Sequence, residues 1–182
     1  MTSQAVISRE TLIIGIDPGI KGGIAAAGTY FPKGRVEPMP IGKTKSGRDT
    51  YELAGIVRAL RAYLIYRPIA FLEKGQPLPS LPGRGVAGQG GSIANYHRGL
   101  GRGIFEGILT ALGIPYDLVT PQQWQNEMLP MKGGDTKARS ITAAKKLFPE
   151  VSLFATARSR KPSDGLSDAL LLAAYGMRRQ LP

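Results

Sequence analysis

Leu12-Ile-Ile-Gly-Ile-Asp17-Pro-Gly-Ile-Lys-Gly-Gly-Ile-Ala-Ala-Ala27 decides the fold. Leu12–Asp17 is a nearly continuous apolar run that ends in one acid, which predicts a buried strand. Pro18-Gly-Ile-Lys-Gly-Gly supplies a tight turn and Ile24–Ala27 returns as a second strand, so the segment reads as a hairpin at one end of a sheet.

Further along, Ile69-Ala-Phe-Leu-Glu73 repeats the pattern of a short apolar strand ending in an acid. Near the other end, Ser163-Asp-Gly-Leu-Ser-Asp-Ala-Leu-Leu-Leu-Ala sets Asp164 and Asp168 four apart, on one face of a helix, with Leu166 and Leu170 turned towards the core. Asp17 and Glu73 come close if their strands are sheet neighbours with carboxyl ends on one edge. An Asp-Pro-Gly turn or a helix cap accounts for Asp17 or Asp164 singly, but leaves unexplained why acids end both strands. In a chain of formal net charge +11, an acid at the end of an apolar run is costly to desolvate without a positive partner, and a divalent metal is the simplest one. Two magnesium ions among four such acids suit in-line hydrolysis of a phosphodiester. The chain has no cysteine and a single histidine, His97, which excludes thiolate catalysis, zinc–thiolate sites and multi-histidine cages. Any metal must be held by oxygen, which favours magnesium or manganese.

The rest of the chain frames these ends. Val36–Pro40 reads as a weaker third strand, Asp49 and Glu52 as a capping signal for a helix over about Tyr51–Tyr66, and Pro68 as its break. Lys74–Gly91, rich in Gly and Pro, is too long for a plain connection. A helix over about Ser92–Leu112 and a strand Tyr116–Val119 follow. Thr120-Pro-Gln-Gln123 then starts a helix carrying Trp124, which is expected in the core, and Asp135 caps another to about Phe148. The last helix runs from about Asp164 to Gln180. Strands alternating with helices after a starting hairpin predict an α/β fold with a mixed sheet and helices packed on it. With 182 residues, 42% of them hydrophobic, residues 12–180 are expected to form one domain, with 1–11 a flexible N-terminus. No run of about 20 apolar residues and no signal-like start is present, which predicts a cytoplasmic or nucleoid-associated protein, neither secreted nor in a membrane.

The charge excess is uneven. Residues 131–161 carry eight Lys/Arg, among them Lys132, Lys137 and Arg139, against two acids, and from Lys74 to Arg102 there are four Lys/Arg and no acid. Basic segments flanking the candidate ligands point to nucleic acid, with Lys74 and Arg84 as further phosphate contacts. Gly83-Arg-Gly-Val-Ala-Gly88 fits a dinucleotide pattern, but Pro77, Pro79 and Pro82 separate it from the preceding strand, so it reads as a loop. His97 reads as a surface or helix-packing residue.

Ile-Gly-Ile-Asp17-Pro-Gly, the strand-end Glu73 and the Asp168-Ala-Leu-Leu-Leu-Ala helix with Asp164 one turn earlier resemble, in that order, the RuvC-type Holliday-junction resolvases of the ribonuclease H-like superfamily, in their phage and organelle branch. The resemblance spans about Leu12 to Met177. It departs at Asp164, which stands four residues before the last acid where the family pattern has three. It implies a ribonuclease H-like mixed five-stranded sheet flanked by helices, and a homodimer that binds four-way DNA junctions and nicks opposing strands. Asp17, Glu73, Asp164 and Asp168 would be the catalytic ligands of two Mg2+ or Mn2+ ions, and Lys137, with Lys132 nearby, would neutralise the scissile phosphate. Residues after Glu73, Arg84 included, would reach the junction. The same acids would also serve a nuclease of RNA or RNA–DNA hybrid, whereas a non-catalytic binding module would not need them. The first segment also resembles the phosphate loop of sugar-kinase and actin-like ATPases, folds that need two such domains.

Overall fold

The computed structural model describes residues 11–75, 92–129 and 133–180. Its strands are β1 (Leu12–Asp17), β2 (Gly23–Gly28), β3 (Phe31–Pro38), β4 (Ile41–Lys43), β5 (Asp49–Tyr51), β6 (Ile69–Glu73) and β7 (Tyr116–Val119). Its helices are α1 (Leu53–Arg61), α2 (Ser92–Ala111), α3 (Pro121–Met128), α4 (Thr136–Leu147) and α5 (Asp164–Gln180). Five strands form one mixed sheet in the order β3-β2-β1-β6-β7. The expected hairpin is there, β1 pairing antiparallel with β2 from Leu12↔Gly28 to Asp17↔Gly23. On its other side β1 runs parallel to β6, and β6 parallel to β7.

Period-two alternation divides the apolar side chains of β1 between two layers. Leu12, Ile14 and Ile16 face a core shared with Ile56 and Leu60 of α1 and Phe105 and Leu109 of α2. Ile13 faces the opposite core, with Phe71 of β6, Trp124 of α3, Ala144 of α4 and the apolar side of α5. Gly15 lies on this second face, where a Cβ would overlap Ala169 O and Ala173 N of α5, so glycine lets the helix lie directly on the strand. Asp17 and Glu73 continue the parity of Ile13 and Phe71, which carries the two strand-end acids towards the α5 side of the sheet.

Two expectations differ from the structure. The third strand begins five residues earlier than the apolar residues suggested, at Phe31, because it is an edge strand with exposed charged residues, kinked by a register shift against Ala26–Gly28. The helix expected over Tyr51–Tyr66 is α1 followed by a separate 3-10 turn, Leu64–Tyr66. Asp49 does not cap it but belongs to the β4–β5 hairpin, where it pairs with Lys43 at 2.6 Å, and Glu52 is drawn to Arg58 at 3.0 Å instead of to the helix N-terminus. The caps expected at Thr120 and Asp135 are present; Thr120 and Gln123 form a reciprocal capping box. Among the described residues no helix is long and apolar enough to cross a membrane.

Candidate active site

The parallel register pairs Ile16 with Leu72, so Asp17 and Glu73 are the next residues on adjacent strands. Asp164 is the first residue of α5 and Asp168 follows one turn later, half-buried like the other three acids. The N-terminus of α5 sits against the turn after β1: a Cβ on Gly165 would overlap Lys21 O. That contact joins the two halves of the site, which lie some 150 residues apart in sequence.

Each acid has a different partner. Asp17 Oδ1 accepts the Gly19 backbone N–H at 3.0 Å, tying the carboxylate to its own turn. Glu73 Oε2 accepts the indole N–H of Trp124 at 2.8 Å. Asp168 Oδ1 accepts the Ser140 hydroxyl. Asp164 Oδ2 pairs with Lys137 Nζ at 2.7 Å. Behind Asp17, the buried Tyr51 hydroxyl donates to Pro18 O at 2.6 Å and pins the turn; burial and the charge of Asp17 push that phenol up to about 12.

The electrostatics separate three acids from the fourth. Burial pushes Asp17 up to about 6 against the Gly19 hydrogen bond, and Asp164 adds repulsion. Burial and the charge of Asp17 push Glu73 to about 8, although the Trp124 bond opposes them. Asp168 rises to about 7, again mainly by burial, with Ser140 opposing and Asp17 and Asp164 repelling. Burial also acts to raise Asp164, but the hydrogen bond and charge of Lys137 outweigh it and hold the carboxyl below its ordinary range. Lys137 is raised in return, chiefly by its hydrogen bond to Asp164.

Carboxyl groups that burial, and after it repulsion from neighbouring acids, keeps protonated near neutral pH are suited to a cation in the protons' place. The donor set is all oxygen and anionic, which fits a hard divalent ion such as Mg2+ or Mn2+ and disfavours softer metals. As the side chains stand, no three acids or histidines among the described residues are close enough together to enclose an ion.

A cleft of about 640 Å³ borders the site, walled by Asp17, Lys21, Tyr51, Glu73, His97 and Arg98. His97 is exposed, as expected, but its position on α2 places it on this cleft. Of the other expected nucleic-acid contacts, Lys137 and Lys74 are exposed, while Arg139 is half-buried and donates to Leu129 O at 3.1 Å. Arg84, Lys132 and the Gly83–Gly88 pattern lie outside the described residues. Sequence reasoning placed Trp124 in the core, where it is, without its bond to Glu73, and it missed Ser140 and Tyr51 altogether. One local signal existed: the capping box at Thr120 fixes where α3 starts, and so which of its residues turns back onto the sheet.

No protein-family model and no curated protein sequence matches the chain. Solved structures do. The Thermus thermophilus RuvC structure in complex with a Holliday junction substrate superposes with a TM-score of 0.55 at 17% identity, over 92% of this chain and 96% of that one. A second Thermus thermophilus RuvC structure gives a TM-score of 0.49 at 18% identity over the same shares. With its mixed sheet in the order β3-β2-β1-β6-β7 layered between helices, the chain is therefore similar in fold to RuvC and has the ribonuclease H-like fold.

Proposed function

We propose that this chain is a metal-dependent endonuclease that resolves four-way DNA junctions by paired nicks. The observation that carries the reading is the meeting of strand-end Asp17 and Glu73 with Asp164 and Asp168 of α5, three of them raised by burial and mutual repulsion in a chain of net charge +11. The fold's likeness to a RuvC bound to a Holliday junction supports branched DNA as the substrate.

Asp17, Glu73, Asp164 and Asp168 would hold Mg2+ or Mn2+, two ions per site. Bound there, such ions supply Lewis acidity, lowering the pKa of an attacking water and stabilising charge on the leaving oxygen. The protein's own part is to orient the carboxylates and to bring cations to the phosphate. Lys137, now on Asp164, would shift to the scissile phosphate as metal takes over the carboxylate. Lys74, Arg84 and Lys132 would bind the backbone around it, and Arg139 would join them only by leaving Leu129 O. Two opposed cuts require two related sites, so the working form would be a homodimer. The expected setting is the cytoplasm or the nucleoid.

The test offers matched four-way junction, linear duplex, single-stranded and RNA–DNA hybrid substrates with Mg2+, Mn2+, Ca2+ or a chelator. Symmetrically paired nicks in the junction, with Mg2+ or Mn2+ only, are the expected result. Cutting hybrid as well as junction would replace this substrate assignment with that of a hybrid nuclease, and no cutting of any substrate would remove the catalytic reading.

A further inference from the structure

Two buried neutral side chains end on the site's carboxylates. Trp124 is fully buried, and its indole N–H reaches Glu73 Oε2 at 2.8 Å across 51 residues of sequence. Ser140, 1% exposed, sends its hydroxyl to Asp168 Oδ1 across 28. Both donors are themselves fixed. The Thr120–Gln123 capping box sets the start of α3, and Lys74 N–H bonded to Val119 O at 2.8 Å holds the exit of β7 beside Glu73. Ser140 Oγ also lies 3.2 Å from Ser167 Oγ, which is an acceptor for it because the Ser167 hydroxyl itself donates to Asp164 O at 2.7 Å. Of the two acceptors the carboxylate is the stronger, so the single Ser140 proton goes to Asp168.

The chemistry of these donors differs from that of Lys137. An indole N–H donates only and carries no charge, and a serine hydroxyl adds none. Each occupies one oxygen of its carboxylate and leaves the other, Glu73 Oε1 or Asp168 Oδ2, uncommitted by that bond. A lysine in the same place would orient the group and also neutralise it, competing with any cation. Neutral donors orient without competing, as groups behind metal-binding side chains do.

We propose that Trp124 and Ser140 are positioning residues, which turn the second oxygens of Glu73 and Asp168 towards a divalent cation. The proposal rests on the metal-dependent nuclease reading above. Trp124→Phe keeps the ring packing and removes the N–H; Ser140→Ala removes the hydroxyl from a side chain of nearly the same size. The readout is Mn2+ binding to the full-length, DNA-free protein by calorimetry, with thermal midpoint and junction affinity in parallel. Each variant is expected to bind Mn2+ at least about 10-fold more weakly, with junction affinity unchanged and the folded state retained. In the parent, the emission of Trp124, the sole tryptophan, should change on Mn2+ addition with the calorimetric midpoint, and Glu73→Gln should abolish the change.

If the parent binds Mn2+ and cuts junctions while both variants match its metal affinity, the positioning role is overturned and the nuclease reading stands. Variants that lose thermal stability but keep metal affinity overturn it equally, since a purely structural bond would behave so. If Trp124→Phe fails to fold, Ser140→Ala decides. A parent that neither binds metal nor cuts nucleic acid overturns the nuclease reading and this inference with it.

Discussion

At the scale of single residues, the site places negative charge where burial resists it, and this makes stability depend on pH. Asp17, Glu73 and Asp168 have folded-state pKa values of about 6, 8 and 7, above the 3.8 to 4.5 of the same groups in an open chain. Between those limits the folded state binds more protons than the unfolded one, so stability falls as pH rises through the window. Asp164, lowered by Lys137, works in the opposite sense and further to the acid side. Metal-free protein should therefore unfold at lower urea at about pH 8.5 than at about pH 5.5. Asp168→Asn should flatten the trend and saturating Mg2+ should reduce it; stability that instead rises across this range in chelator would contradict the buried-acid assignment. If these acids hold the metal as proposed, the same variant, like Asp17→Asn and Glu73→Gln, should cut junctions at least about 1000-fold more slowly, since several kcal/mol of metal stabilisation would go with the ligand. Gel-shift affinity for the junction should be kept or improved, because a negative charge facing the phosphates is gone. Normal cutting by Asp17→Asn would remove the quartet from the chemistry.

At the scale of elements, what could be read from sequence was whatever is local. The apolar runs Leu12–Ile16 and Ile69–Leu72 are continuous and end in acids, so both strands and their site residues were visible, and helix spacing put Asp164 and Asp168 on one face. The Trp124 and Ser140 donors were not, because each meets its carboxylate only after β7, α3, α4 and α5 have packed, and buried Trp and Ser residues ordinarily need no acid to explain them. The three-residue strands β4 and β5 were missed because Asp49, Thr50 and Tyr51 carry no alternation long enough to separate a strand from a helix start. Gly165 tests how the elements are joined. A methyl group there would overlap Lys21 O, so Gly165→Ala should move the start of α5, and with it Asp164 and Asp168, away from the β1 turn. A displacement on the order of 1 Å is expected to slow cutting about 100-fold, at a cost of about 1–3 kcal/mol in urea unfolding. Parent-like turnover would mean that the site tolerates slack between α5 and the sheet.

At the scale of the whole molecule, the proposed function asks an acidic site to accept a polyanion, and the net charge of +11 would make that approach favourable. Binding dominated by phosphate contacts releases counterions, so junction affinity should fall steeply with salt, by roughly 0.9 decade per decade of salt for each phosphate neutralised. Lys137 is the informative position because it has two candidate partners. In the DNA-free protein it is exposed and bound to Asp164, and a surface pair of this kind contributes little stability by itself, so leaving it costs little. If it transfers to a phosphate on binding, Lys137→Ala should lower the magnitude of the salt slope by about one and slow cutting together. If it stays on Asp164, the slope should match the parent's, and the loss should appear only in cutting and in the metal concentration that cutting requires. Measuring the slope between about 50 and 200 mM salt, in Ca2+ to suppress cutting, separates the two. An unchanged slope would make Lys137 a partner of the carboxylate alone and leave neutralisation of the phosphate to the metal and the other basic residues.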